Sequence, residues 1–264
     1  MEERPVSLGL KIVAFFMFVF LLAPVILVLP ISFSADNFMM FPPSGWSTRW
    51  YVEFFGDSHM IGALGTSTML AVIVTGLSLA IAMPASYALV RMRVPGADGL
   101  LAFFTAPLLL PTIVLGLAIL IVFAGHNLLG TFTGLVVAHL VIVLPYALRV
   151  LTTSLAGLPI IIEEAASTLG GSPLTVFFRI TLPMMAPGIV ATCALSFLVS
   201  FDEAVISLFL TGPRITTLPV ALYQHVETQA DPLVAAISVL LILLTLAVVM
   251  IVDRTAGLTK TFVK

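Results

Sequence analysis

The chain has 264 residues, 60% of them hydrophobic and only 9% charged, with a formal net charge of −2. A soluble domain carries about 25% charged residues and must leave much of its surface in water, so the solvent for this chain is lipid. The faint acidic balance excludes an electrostatic nucleic-acid partner. The single cysteine, Cys193, lies in an apolar run, excludes an intrachain disulfide and a cysteine-based metal cluster, and reads as a small packing residue.

A spanning helix needs about 20 mainly apolar residues, and six stretches of the chain reach that length. The first is 10–31. Its apolar run exceeds the usual 7–15 of a cleaved signal, so it reads as a retained helix, although Ser32, Phe33 and Ser34 offer small residues at cleavage positions. An outer loop follows at 32–60. Trp46, Trp50 and Tyr51 in that loop favour the membrane–water boundary, so the loop is expected to lie along the outer interface as an anchor, with ligand stacking as the alternative. The second span is 61–90, and a tight inner connection at 91–99 leads to the third, 100–123. After an outer turn near 125–130 comes the fourth, 133–155. A long inner loop, 156–183, precedes the fifth, 184–210. Then come an outer loop, 211–232, and the sixth span, 233–252. Prolines 24, 84, 107, 111, 145 and 187 fall inside or at the edges of the spans, which neighbouring helices can accommodate as kinks. The expected fold is an all-α membrane protein of six transmembrane helices, forming a single domain over 1–264.

Lysine and arginine set the orientation. With the N-terminus inside, Arg4, Lys11, Arg91, Arg93, Arg149, Arg179, Arg254, Lys260 and Lys264 fall on the cytoplasmic side, and only Arg49 and Arg214 remain outside. Both termini are therefore expected in the cytoplasm.

The long inner loop carries the most information. Pro159 suits a helix's first turn, and Glu163 and Glu164 near that end offset its positive dipole. Ala165 and Ala166 give the helix a low-relief face. Gly170 and Gly171 supply the stop, because glycine accepts the left-handed conformation that closes a helix. A second short segment, 173–180, leads to Leu182, Pro183 and the next span. With Ile160 to Ile162 exposed, the short helix suits docking in another protein's groove; a surface helix touching only lipid is the other reading.

Glu164-Ala165-Ala166, three residues, Gly170, nine residues, then Ile180, Leu182 and Pro183 resembles the complete EAA loop of ATP-binding-cassette importer permeases. Span number and loop position agree with that family over most of the chain. The resemblance implies a type I importer permease fold in the bacterial inner membrane. It also implies that Glu163, Glu164, Ala165, Ala166, Gly170, Ile180, Leu182 and Pro183 couple the chain to an ATPase. The implied partners are two ATPase subunits, a second permease subunit (a distinct paralogue) and a periplasmic solute-binding protein. No Gly-x-x-x-x-Gly-Lys-Ser/Thr loop occurs in the sequence, so ATP and magnesium are expected on a separate ATPase, with no cofactor, metal or catalytic residue on this chain.

Within the family, Ser200-Phe201-Asp202-Glu203, Thr211-Gly212-Pro213 and Thr216-Thr217-Leu218-Pro219 look like the C-like permeases of the spermidine/putrescine type, as do stretches 41–47 and 49–51. Relatives of this pattern also carry amino-acid-derived and opine-like solutes. Asp202 lies 18 residues beyond Met184, about 27 Å along a helix, which places it near the outer edge of a core about 30 Å thick. Ionisable groups in a span usually face a cavity or a partner. Asp202 and Glu203 are therefore candidates for a substrate pathway or gate suited to a polycation, or else for a structural cap or interhelical bond. Tyr87 and Tyr146 either line that pathway or pack. His139, alone in the fourth span, reads as a packing or hydrogen-bonding group, and His126, His225, Glu227 and Asp231 read as outer-loop residues. A secondary transporter or channel would need an ion relay, for which only His139 and Asp202 stand. An intramembrane enzyme would need a His-Glu-x-x-His or Gly-x-Ser-x-Gly motif, and the sequence has neither.

Overall fold

A computed structural model describes residues 7–92 and 94–256; Arg4, Arg93, Lys260 and Lys264, invoked above for orientation, lie outside the described residues. The chain is helical nearly throughout: α1 Leu8–Ser32, α2 Arg49–Gly56, α3 Ser58–Arg91, α4 Ala97–Thr105, α5 Thr112–Ala124, α6 Phe132–Ala156, α7 Ile160–Thr168, α8 Pro173–Val176, α9 Leu182–Met184, α10 Ala186–Phe201, α11 Val205–Leu210, α12 Leu218–Thr228 and α13 Leu233–Ala256. Extended pairing among the described residues is limited to isolated bridges, Ser34 with Trp46 and Gly212 with Ile215. By length and apolarity, four helices can cross a membrane: α1, α3, α6 and α13. Two bent pairs raise the number to six if each is one span.

The bends correct the expectation of kinked but continuous spans. The third span is α4, a 3-10 turn at Ala106–Leu109, and α5, with a 100° bend. Pro111 lacks an N–H and holds Leu110 extended (ψ 140°), as a residue before proline prefers, so α5 starts afresh. The fifth span bends by 68° between Pro173–Met184 and α10, after a π-helical turn at Phe177–Thr181. It ends at Phe201, not at 210. Residues 202–204 are non-helical and α11 is a separate piece.

The chain forms two compact units. One comprises the described part of 1–61 with Leu222–Leu244. In it α1 stays exposed along its length, as a lipid-facing helix can. The segment after α1 is tied to α2: Trp50 Nε1 donates to Ser34 O at 2.9 Å, Tyr51 Oη to Ser32 Oγ at 2.8 Å, and Arg49 Nη2 to Asp36 O at 2.7 Å and Asn37 Oδ1 at 2.6 Å. Trp50 is buried among these contacts, whereas Trp46 stays exposed. Hydrogen bonds from Ser44, and one from Ser34, hold the Asp36 carboxyl below its ordinary value.

The other unit spans 62–221 and the described part of 245–264. α6 is its axis. Gly188, Thr192, Ser196 and Ser200 recur every fourth residue on α10, and the last three are buried. Small residues let membrane helices approach closely. A methyl group on Gly188 would collide with Ser154, and Ser200 meets His139, so α10 runs antiparallel to α6. α11 is seated in the same cluster as α5 and α6, where Leu70, Ile119, Leu135, Ile142 and Ile206 pack together. A methyl group at Gly116 of α5 would sit 2.7 Å from the Phe209 ring of α11.

Candidate functional site

Two regions of the second unit carry the sequence-derived candidates. The first is the inner loop. Pro159 precedes α7, and Glu163 lies in its first turn. At the other end, Gly170 has φ +89°, Gly170 N–H donates to Ser167 O at 3.0 Å, and Gly171 N–H donates to Ala166 O at 3.1 Å. This paired five-to-two and six-to-one closure is the Schellman stop, as the two glycines predict. Glu164, Ala165 and Leu169 are exposed, and Ala166 half-buried. Ile160, Ile161 and Ile162 are exposed as well. Ile180 and Leu182 are half-buried and Pro183 exposed around the bend into α10.

Glu163 parts company with Glu164. It is buried, and both of its carboxylate oxygens accept from Arg91 Nε at 3.2 Å. The same guanidinium donates from Nη2 to Leu155 O at 3.1 Å and to Leu158 O at 3.0 Å. Arg91 closes α3; Leu155 is in the last turn of α6 and Leu158 just beyond its end. One fork-shaped side chain therefore binds α3, α6 and α7 together. In the sequence Arg91 stands out only as a topogenic charge, because a contact spanning 72 positions leaves no local pattern. Tyr87, one turn before Arg91, packs edge-on against Phe177 with centroids 5.1 Å apart.

The second region is the break between α10 and α11. Glu203 Oε1 accepts from Ile206 N–H at 3.0 Å and so caps α11, which is the structural alternative the sequence left open. Asp202 differs. It is exposed; its backbone N–H donates to Leu198 O at 3.0 Å, but its carboxylate accepts no hydrogen bond among the described residues. Beneath the break, His139 Nδ1 lies 3.0 Å from Ser200 Oγ and Nε2 lies 3.0 Å from Ser207 Oγ. His139 is a hydrogen-bonding group, as expected, but its partners were unreadable in advance.

The candidates do not converge on one pocket. Along α6, the level of His139 and that of Leu155 are separated by about 24 Å at 1.5 Å per residue. Asp202 belongs to the first level and Tyr87 to the second. Tyr146 lies between them and packs against the α5–α6–α11 cluster. His139 stands about 10 Å along α6 from its start, so Asp202 is recessed by one to two turns from that end of the bundle. No group of three or more His, Cys, Asp or Glu capable of holding a metal occurs among the described residues.

Comparison with known proteins bears on both regions. Residues 76–257 match the model of the family described as binding-protein-dependent transport system inner membrane component. The putrescine transport system permease protein PotI of Escherichia coli (strain K12) is 35% identical over 233 residues, covering 85% of this chain and 82% of that protein. The spermidine/putrescine transport system permease protein PotC of Haemophilus influenzae is 29% identical over 237 residues, covering 90% and 92%. Among solved structures, a bacterial ABC transporter involved in import of the acidic polysaccharide alginate has a chain of the same fold. It aligns with a TM-score of 0.69 at 16% identity, over 95% of this chain and 99% of that one. A chain of the MetNI methionine ABC transporter aligns with a TM-score of 0.59 at 19% identity, over 76% and 98%.

Proposed function

Because the chain belongs to the family of binding-protein-dependent transport system inner membrane components, we propose that it forms half of the solute pathway of an ATP-driven polyamine importer. It is a multi-pass permease subunit of the inner membrane and not an enzyme. In this reading it works with two ATPase subunits, which hold ATP and magnesium, with a distinct second permease, and with a periplasmic binding protein that delivers the solute. Both termini face the cytoplasm. The exposed isoleucines, Glu164 and Ala165 of α7 enter a cleft of the ATPase. Arg91 passes the movement of α7 to the ends of α3 and α6.

Fold alone does not select a cargo; the fold neighbours come from a transporter involved in the import of an acidic polysaccharide and from a methionine transporter. The polyamine reading rests on the PotI and PotC relatives and on one observation in the chain. Asp202 is an unpartnered, exposed carboxylate beside an apolar helix pair. Such a group in a membrane span is costly unless it faces a wet path or a passing cation. An alkyl diamine supplies ammonium groups and leaves again, since the neighbouring Glu203 carboxylate is engaged with Ile206 N–H at the start of α11.

The test is putrescine uptake by the reconstituted complex. Asp202→Asn keeps the shape, removes the charge, and is expected to lower uptake severalfold at unchanged assembly. Glu203→Gln still accepts from Ile206 N–H and is expected to stay near the parent rate. Full-rate uptake by Asp202→Asn removes the gate role. A co-purified binding protein that prefers an anion removes the polyamine reading and leaves the importer assignment standing.

A further inference from the structure

The break at 202–204 raises a physical problem. Helix interruption inside a membrane protein frees backbone groups that lipid cannot satisfy, and α11 is too short to hold its own direction. Left alone, α11 would tend to resume the helix of α10, which Asp202 already continues through its N–H to Leu198 O at 3.0 Å; residues 205 and 206, three and four positions on, would then stand over Asp202 and close its present exposure. Something must hold the break open.

Three contacts meet that need, and His139 is at their centre. Glu203 caps the first free N–H group region of α11 through Ile206. Gly116 lets the Phe209 ring of α11 come against α5. Among the described residues, only His139 makes side-chain hydrogen bonds to both sides of the break, with Ser200 two residues before Asp202 and Ser207 four residues after Glu203. It is 1% exposed, and Ser200 and Ser207 are 2% and 0% exposed, so no water competes for these bonds. A neutral imidazole has one donor and one acceptor, and a serine hydroxyl can be either. Each tautomer is therefore satisfied by the same pair, one bond donated and one accepted.

We propose that His139 is a positioning residue of the solute pathway: by bonding Ser200 on α10 and Ser207 on α11, it fixes the helix break that presents Asp202 to the cargo. The inference rests on the gate reading of Asp202 given above. His139 does not touch the cargo. It keeps the carboxylate uncovered when an ammonium group arrives, and thus acts on the translocation step and not on docking of the loaded binding protein.

The experiment uses the whole complex in proteoliposomes with putrescine and its binding protein, and refers rates to the amount of assembled complex. His139→Leu removes both bonds, and Ser207→Ala removes only the anchor on α11. Both should lower the maximal uptake rate, His139→Leu severalfold and Ser207→Ala less, while the half-saturating concentration of loaded binding protein stays at the parent value. His139→Gln retains a donor and an acceptor and should recover part of the loss. The His139→Leu/Asp202→Asn double variant should be no slower than the slower single variant, because a covered carboxylate is already lost. Should His139→Leu fail to assemble, Ser207→Ala and its pairing with Asp202→Asn decide the matter by the same criteria. Parent-rate uptake by the assembled variants, or losses that multiply in the double variant, overturns this inference while a slow Asp202→Asn preserves the gate reading. A full-rate Asp202→Asn overturns both.

Discussion

Arg91 spends its guanidinium on three acceptors at once: the Glu163 carboxylate and the carbonyls of Leu155 and Leu158. The pair is well shielded, with side chains 9% and 11% exposed. Removing one member of a buried pair strands the other and costs about 3–5 kcal/mol, whereas replacing both with apolar groups is close to neutral. Arg91→Met is therefore expected to open the loop around α7, raising the rate of protease cleavage within 157–172 by at least tenfold. Arg91→Met/Glu163→Met should return part of that protection. A double variant as labile as Arg91→Met would mean that the carbonyl bonds, and not the ion pair, hold the loop. Glu163 and Glu164 adjoin in sequence, yet one faces the chain's own helices and the other faces out.

At the scale of elements, α7 is defined by its ends. Gly170 at φ +89° occupies a backbone region that costs a β-branched residue about 1–3 kcal/mol. Gly170→Val is expected to insert normally and to assemble, yet to lose the binding-protein-stimulated part of ATP hydrolysis, measured with the reconstituted complex. Full stimulation would show that this stop does not matter to coupling. Helix α7 was legible beforehand because its signals are local: a proline, two acids and two glycines at fixed spacing. The long spans were legible for the same reason, since apolarity accumulates over 20 residues. The breaks were not. Prolines 24, 84 and 145 sit inside continuous helices, whereas Pro111 starts a new one, and only the packing of α4 and α5 separates the two outcomes. Asp202 and Glu203 looked alike until Ile206 took one of them as a cap. Ser200 and Ser207 carried no signal at all, because a short hydroxyl in an apolar run means nothing until a histidine from another helix meets it.

At the scale of the molecule, the nine-to-two distribution of lysine and arginine predicts a topology in which the loop 156–183 and the C-terminus share a side. Reporter fusions within that loop and after residue 264 should both read as cytoplasmic, and an external reading at either point would sink the arrangement. In that topology the outward face of α7, with Glu164, is on the cytoplasmic side, and Asp202 lies toward the opposite face.

One helix joins those two levels, and its length carries a consequence of its own. His139 and Leu155 are both on α6, and each must meet partners fixed elsewhere. Substitutions between them change packing but leave the angular phase between the two ends intact. Insertion or loss of a single residue does not: it turns one end by about 100° against the other, so that either the serines or the arginine must miss. The stretch 140–154 can thus drift in composition but not in count, and among homologues its alignment should be free of gaps even where identity is low.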